Sequence, residues 1–303
     1  MPYARKRYVS RRRRPSTRRY RKTSAKTRRT YRKPIRRMSK RAILNTTSRK
    51  KRDTMMPYTN ITAATQSGGT TYANGSAIIT GGTSTTSPIV WCATARDNEI
   101  SAGGTAGNVF NEATRTATTC FMKGIRETVQ IQVSDDVPWL WRRICFTYKG
   151  VNASLPSTNG FNLQAELSSG WQRVVNMVPN AAYVTTLNGL LFKGSQYVDW
   201  LDAMTAPIDN RRVTIKYDKT RTIASNNEGG CIKKFNLYHP MNSNLVYDDD
   251  ENGGGENVSF FSVQGKAGMG DYMIVDYFQP RTGSATTNRL SFNPSATLYW
   301  HEK

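Results

Sequence analysis

Gly124-Ile125-Arg126-Glu127-Thr128-Val129-Gln130-Ile131-Gln132-Val133-Ser134 alternates with a period of two. Val129, Ile131 and Val133 fall on one side, and Thr128, Gln130, Gln132 and Ser134 on the other. An extended segment that buries one face has this pattern, because successive side chains of a strand point to opposite sides. Residues 211–217 repeat it, with Val213, Ile215 and Tyr217 inward. Outward from these two segments, short β-type runs occupy residues 87–94, 139–148, 172–178, 220–225, 231–238, 257–263, 271–278 and 296–301. Clusters of Gly, Pro, Asn and Ser punctuate them. Such a series, with long polar connections at 152–160 and 242–257, predicts an all-β chain. The expected architecture is a single jelly-roll β-sandwich with an eight-stranded core and one or two short helices. One helix is expected at 195–204, with Tyr197, Trp200, Leu201 and Met204 on its apolar face. No repeat of 20–50 residues is present, which argues against a propeller or a solenoid.

The 303 residues carry 44 Lys+Arg and 21 Asp+Glu, a net charge of +23, and the charge is unevenly placed. Residues 1–52 hold 24 cations and no anion, whereas residues 53–303 hold 20 cations against 21 anions. A uniformly basic domain is excluded. The pattern predicts a basic arm at 1–52 and a nearly neutral body at 53–303, long enough for a sizeable core. Like-charge repulsion and scarce apolar surface predict a disordered arm, with Pro15 and Pro34 interrupting any helix. No apolar run reaches about 18 residues, so no membrane insertion is expected. The N-terminal charge is not followed by an apolar segment, and the arm is too poor in apolar residues for an amphipathic transit helix.

A polycation of this density neutralises phosphates and releases their counterions, whatever the base sequence. Its candidate nucleic-acid-binding residues are Arg11, Arg12, Arg13, Arg14, Arg18, Arg19, Tyr20, Arg21, Lys22, Arg28, Arg29, Arg32, Lys33, Arg36 and Arg37. Tyrosines among the cations can stack on unpaired bases, which favours single strands. An anionic membrane surface is the lesser alternative. Arg49, Lys50, Lys51 and Arg52 form a short basic patch of the kind a nuclear import receptor reads.

Other motifs point away from catalysis and metal binding. Asp248, Asp250, Asn252 and Gly253 match the start of a calcium loop, but Ser259 stands where the closing Glu belongs. An acidic exposed loop is the better reading, with cation recruitment at a subunit contact left open; no cofactor and no metal are expected. Cys92, Cys120, Cys145 and Cys231 have no CxxC spacing and apolar neighbours, so four buried, reduced thiols are expected, which suits a cytosolic or nuclear protein. His239 and His301 are the only histidines, and no P-loop, GxSxG or HExxH occurs. The chain is not expected to be an enzyme.

Five segments occur in order along the chain. They are Leu44-Asn45-Thr46-Thr47-Ser48-Arg49-Lys50-Lys51-Arg52-Asp53-Thr54-Met55, Lys234-Phe235-Asn236-Leu237-Tyr238-His239-Pro240 and Leu245-Val246-Tyr247-Asp248-Asp249-Asp250-Glu251-Asn252-Gly253. Gly268-Met269-Gly270-Asp271-Tyr272 and Leu298-Tyr299-Trp300-His301-Glu302-Lys303 complete the set. Together they resemble the capsid proteins of genomoviruses, small circular single-stranded-DNA viruses related to geminiviruses. The resemblance covers both ends and the later half of the chain. It implies a capsid protein with one jelly-roll shell domain, and a small icosahedral (T=1) virion of about 60 copies. It also implies a packaged single-stranded DNA genome, and places the protein in the virion and the host cell nucleus. Charge and β-pattern alone leave an alternative, a non-capsid nuclear single-stranded nucleic-acid-binding protein that uses its β-surface as a stacking platform.

Overall fold

The computed structural model describes residues 38–82, 87–155, 160–225 and 227–303. The chain forms α1 (Lys40–Thr47), β1 (Arg49–Met55), β2 (Pro57–Thr59), β3 (Ala73–Asn74), β4 (Ala77–Thr80) and β5 (Ile89–Cys92). Two long strands follow, β6 (Thr119–Val133) and β7 (Trp139–Tyr148), and then a single helical turn, α2 (Val151–Ser154). A small hairpin of β8 (Glu166–Leu167) and β9 (Gly170–Trp171) leads into β10 (Arg173–Met177) and α3 (Ala181–Leu191). The last third contains β11 (Thr214–Ile223), β12 (Cys231–Val246), a hairpin of β13 (Asp250–Asn252) and β14 (Gly255–Asn257), β15 (Asp271–Pro280) and β16 (Arg289–Glu302).

Eight of these strands make two facing antiparallel sheets. The first runs β1-β16-β6-β12, with β4 also pairing β16; the second runs β11-β7-β15-β5 and continues through β10, β2 and β3. Numbered along the chain, the eight read 1-8-3-6 in one sheet and 2-7-4-5 in the other. That order results from rolling one long antiparallel hairpin into two layers, which is the expected jelly roll. Alternation does the layering. Val129, Ile131 and Val133 are buried, and Thr128, Gln130 and Gln132 face out.

Between the sheets lie two apolar clusters. One joins Met122, Ile125 and Leu298 of the first sheet to Trp91, Cys145 and Ile274 of the second. The other joins Val129, Ile131 and Phe292 to Trp139, Trp141 and Phe278. A third cluster lies on the far side of the second sheet, where Cys92, Phe146 and Met273 pack with Leu187 and Leu191 of α3 and with Trp200. The centre of the second sheet is therefore buried on both faces, with β5, β10 and β15 buried almost throughout, whereas its edge strand β11 is largely exposed. Among the described residues nothing covers the outer face of the first sheet in this way.

Four charged side chains sit between the two inter-sheet clusters. Arg143 of β7 bonds Glu127 of β6 at 2.5 Å and grips Asp276 of β15 at 2.7 and 2.8 Å. Arg173 of β10 bonds Glu127 at 3.0 Å and Asp276 at 3.5 Å. Trp141 Nε1 donates to Asp276 at 2.7 Å, and the Arg173 guanidinium lies over the Trp91 ring, 4.3 Å from its centroid. All four charges are buried, but two cations balance two anions and fork geometry satisfies them. Burial opposes the charge on Arg143, yet Asp276 and Glu127 outweigh it and raise its pKa. Burial likewise pushes Asp276 up, but the two guanidiniums and Trp141 hold it below the usual carboxylate range.

Several expectations are corrected. The segment expected to be disordered through residue 52 is ordered at its end: α1 spans Lys40–Thr47, and β1 begins at Arg49, with Lys51 buried and Arg49, Lys50 and Arg52 exposed. Residues 195–204 form turns, not a helix: Ser195 N donates to Asp199 Oδ2 at 2.7 Å, Met204 N donates to Asp202 Oδ1 at 2.9 Å, and Tyr197 takes φ 66°. These local side-chain acceptors compete with helical bonding. Trp200 and Met204 are buried as expected, whereas Tyr197 and Leu201 are exposed. The helix is instead α3, capped by Asn180 Oδ1, which accepts from Ala182 N and Tyr183 N. The runs at 211–217 and 220–225 are one strand, β11. Residues 258–263 are not a strand; the N–H groups of Ser259 and Ser262 turn to the carboxylates of Asp249 and Asp271. Cys231 is only half-buried, whereas the other three thiols are buried; all four are free.

Glu127→Leu or Arg173→Met alone leaves an unbalanced buried charge and is expected to cost about 3–5 kcal/mol. The double variant keeps the Arg143–Asp276 pair neutral, so it should cost less than either single change. Urea unfolding of all four proteins measures this; strictly additive losses would mean that the four groups act independently.

Candidate nucleic-acid interface

The arm joins the body through β1, whose inward side chains are unusual. Lys51 is buried and its ammonium reaches Glu302 Oε2 at 3.0 Å, Thr114 O at 2.7 Å and Thr116 Oγ1 at 3.1 Å. Glu302 also accepts from Trp300 Nε1 at 2.7 Å and from Thr116 N at 3.1 Å. Burial alone would raise its pKa, but these donors lower it below the usual carboxylate value. Two residues on, Asp53 pairs with Arg96 at 3.2 Å, and the Arg96 guanidinium lies 4.8 Å from the Trp300 ring centroid. The strand that carries the arm is thus pinned by two buried ion pairs, one to the C-terminal strand through Glu302 and one to the segment after β5 through Arg96.

The outward side chains of the same sheet differ sharply. Strands β1, β6, β12 and β16 turn Lys50, Arg52, Lys123, Arg126, Lys234 and Arg289 to the open face and no carboxylate. Their acids, Asp53, Glu127 and Glu302, all point inward. Between the cations stand Phe121, Tyr238, Tyr299 and His301 with Thr, Ser, Asn and Gln. A cationic face set with aromatic rings is chemically suited to the phosphates and exposed bases of a single strand. Sequence reasoning missed this face; the alternation that marks Val129 and Ile131 as inward also assigns Lys123's neighbours and Arg126 once the pairing is known.

The arm clusters from Arg11 to Arg37, with Tyr20 and Lys22 among them, lie outside the described residues. Of the four residues read as an import patch, Arg49, Lys50 and Arg52 are exposed and Lys51 is buried, so the folded body does not present four adjacent cations. The acidic run ends in the β13–β14 hairpin, and its Asp249 is held by both terminal nitrogens of Arg115 at 2.5 and 3.0 Å, with the guanidinium over Tyr247. Among the described residues no group of three or more His, Cys, Asp or Glu side chains is arranged to hold a metal ion. No helix among them is long and apolar enough to cross a membrane.

The two histidines have separate settings. His301 faces the open side. His239 is 2 % exposed, edge-on to Tyr217 at 4.9 Å and 3.9 Å from Glu127 Oε2. Burial outweighs the attraction of Glu127 and lowers its pKa to about 4. No family model matches the chain, and comparison with curated proteins found no match.

Two outcomes follow from this geometry. Lys51→Ala strands a buried Glu302 and should cost about 3–5 kcal/mol in thermal or urea unfolding, whereas Arg52→Ala should change stability little. Equal effects would mean that Lys51 is not a structural lysine. For His239 the folded pKa is depressed, so between its unfolded value and about 4 the unfolded chain binds the extra proton and stability falls with falling pH. His239→Gln removes this contribution. Relative to wild type, the variant should therefore gain roughly 2–3 kcal/mol between pH 7.5 and pH 4.5. A pH-independent difference would show that His239 is protonated equally in both states.

Proposed function

We propose that this chain is the shell protein of a small single-stranded-DNA virus, similar to genomovirus capsid proteins. On this reading copies of the jelly-roll body associate into a closed icosahedral shell, and the arm gathers the genome inside. One observation carries it: the cationic open face, to which the sheet's own strands turn no carboxylate, belongs to the sheet whose edge strand β1 contains the end of the 24-cation segment. Lys50 and Arg52, at the end of that segment, lie on this same face. The second sheet, closed off by α3 and the 195–213 segment, faces the other way.

Charge sets the scale of the cargo. An icosahedral shell has about 60 equivalent positions, so 24 arm cations per copy bring roughly 1,400 positive charges against one negative charge per nucleotide. Mobile ions and body cations balance some excess. The expected content is on the order of 1.5–2.5 thousand nucleotides of single-stranded DNA. A basic chain of this kind reaches a genome made in the nucleus through an import receptor, for which the arm and the exposed Arg49, Lys50 and Arg52 are the ligands.

The test is to purify the full-length chain, size the particles it forms, and digest the extracted contents with strand-specific nucleases. Closed shells holding DNA sensitive to single-strand nuclease are expected. Monomers or dimers that bind single strands without closing would favour the non-capsid binding protein instead. Shells filled with duplex, or stable empty shells alone, would show that the arm charge does not govern packaging.

A further inference from the structure

Strand β6 does not run straight through the first sheet. Tyr299 pairs with Gly124 but Trp300 pairs with Met122, so Lys123 is an extra residue. The register against β12 shifts at the same place, between Pro240 and Ser243. This is a β-bulge, a device that bends a strand and re-aims its side chains. In an unbroken strand Lys123 and Arg126, three residues apart, would face opposite ways. Here both face the open side. Glycine makes the bulge possible. Gly124 has φ +152°, and a Cβ there would come within 2.6 Å of His239 O and 2.8 Å of Tyr238 Oη. Without it the Tyr238 ring lies across the bulge and donates to Lys123 O at 3.3 Å.

Around the bulge is an open trough of about 360 Å³ lined by Lys50, Lys123, Arg126, Tyr238, Tyr299 and His301. Neutral acceptors hold the two ammonium groups in place: Lys123 Nζ donates to Asn242 Oδ1 at 2.9 Å, and Lys50 Nζ donates to Asn45 O and Ser48 O. No carboxylate pairs with Lys50, Lys123 or Arg126 among the described residues. His301 has a pKa below its ordinary value, first from burial and then from Lys50 and Lys123. The trough is thus a concentrated positive site with two phenol rings beside it. Its volume falls at the lower end of the range for small-ligand sites, ~300–1,000 Å³.

We propose that this trough is a nucleotide subsite: Lys123 and Arg126 take a backbone phosphate of single-stranded nucleic acid, and Tyr238 and Tyr299 take the adjoining unpaired base. Charge excludes the chain's own arm as occupant, since cations would meet cations. A paired base in a duplex presents no free face to the rings, so the subsite selects single strands. The subsite rests on the nucleic-acid-binding function proposed above and deepens it, because the body as well as the arm then contacts the strand. Lys50 belongs to β1, so a strand gathered by the arm is delivered beside the trough.

The experiment uses the full-length chain and an oligothymidylate carrying 5-iododeoxyuridine, which cross-links to aromatic side chains on irradiation; modified peptides are mapped by mass spectrometry. Cross-links at Tyr299 or Tyr238 are expected besides those at arm tyrosines. In the K123A/R126A double variant the Tyr238 and Tyr299 yields should fall at least fivefold while arm cross-links persist. Both substitutions are on the surface, and unchanged thermal unfolding establishes that the variant is folded. Cross-links confined to the arm, or body yields unaltered in the folded double variant, would overturn the subsite and leave the arm's function standing. Absence of cross-links anywhere would overturn both.

Discussion

The closure of Glu127, Arg143, Arg173 and Asp276 into a neutral buried set is the constraint on which the rest of the body depends. Each residue comes from a different strand, and only Glu127 belongs to the first sheet. An apolar interface between two sheets tolerates a slide of one layer over the other, since Val, Ile and Phe contacts have little directionality. Forked guanidinium–carboxylate bonds do not. Any slip of two residues in β6 would separate Glu127 from both arginines and leave charge unpaired in a dry core, a penalty of several kcal/mol. The set therefore fixes the relative register of the sheets, and the two apolar clusters flanking it contribute the bulk of the burial.

The same arrangement decides which surface is left for partners. With the inter-sheet space filled and the far side of the second sheet packed under α3 and the 195–213 segment, one broad sheet face stays open. Its acids have been drawn inward, to Arg143 and Arg173, to Lys51 and to Arg96. Each inward ion pair removes a carboxylate from the open face, so one set of contacts both stabilises the body and leaves its outer face cationic. The buried Lys51–Glu302 pair fixes β1, the strand in which the cation-rich segment ends, at the edge of that face.

Much of this was legible in the sequence, and the parts that were not have identifiable causes. Period-two patterns located β6 and β11, and runs of β-forming residues between turn signals located β5, β7, β10, β15 and part of β12 and β16. The abrupt end of the cation run after Arg52 marked an arm, but hid the start of β1: a lysine reads as solvated unless its partner is known, and Glu302 is 251 positions away. Glu127 and Arg143 occupy the inward phase of their strands, between Ile125 and Val129 and between Trp141 and Cys145, which is the signal that could have exposed the buried set. α3 was obscured by Thr185, Thr186 and Gly189, weak helix formers whose cost is offset by packing on the second sheet. The expected helix at 195–204 failed for the opposite reason, since Asp199 and Asp202 bond the local backbone. The trough around Gly124 depends on a bulge, which no periodicity encodes.

On the proposed function, the arm and the open face of the first sheet act on one side of a shell, toward the nucleic acid. Cryo-electron microscopy of particles assembled from the full-length chain tests it most directly, by fixing the orientation of the body. The expected result is that β1, β16, β6 and β12 line the inner surface, with α3 and the 195–213 segment outside and nucleic-acid density against Lys123 and Arg126. Particles with α3 turned to the cavity and the cationic face turned to solvent would contradict it.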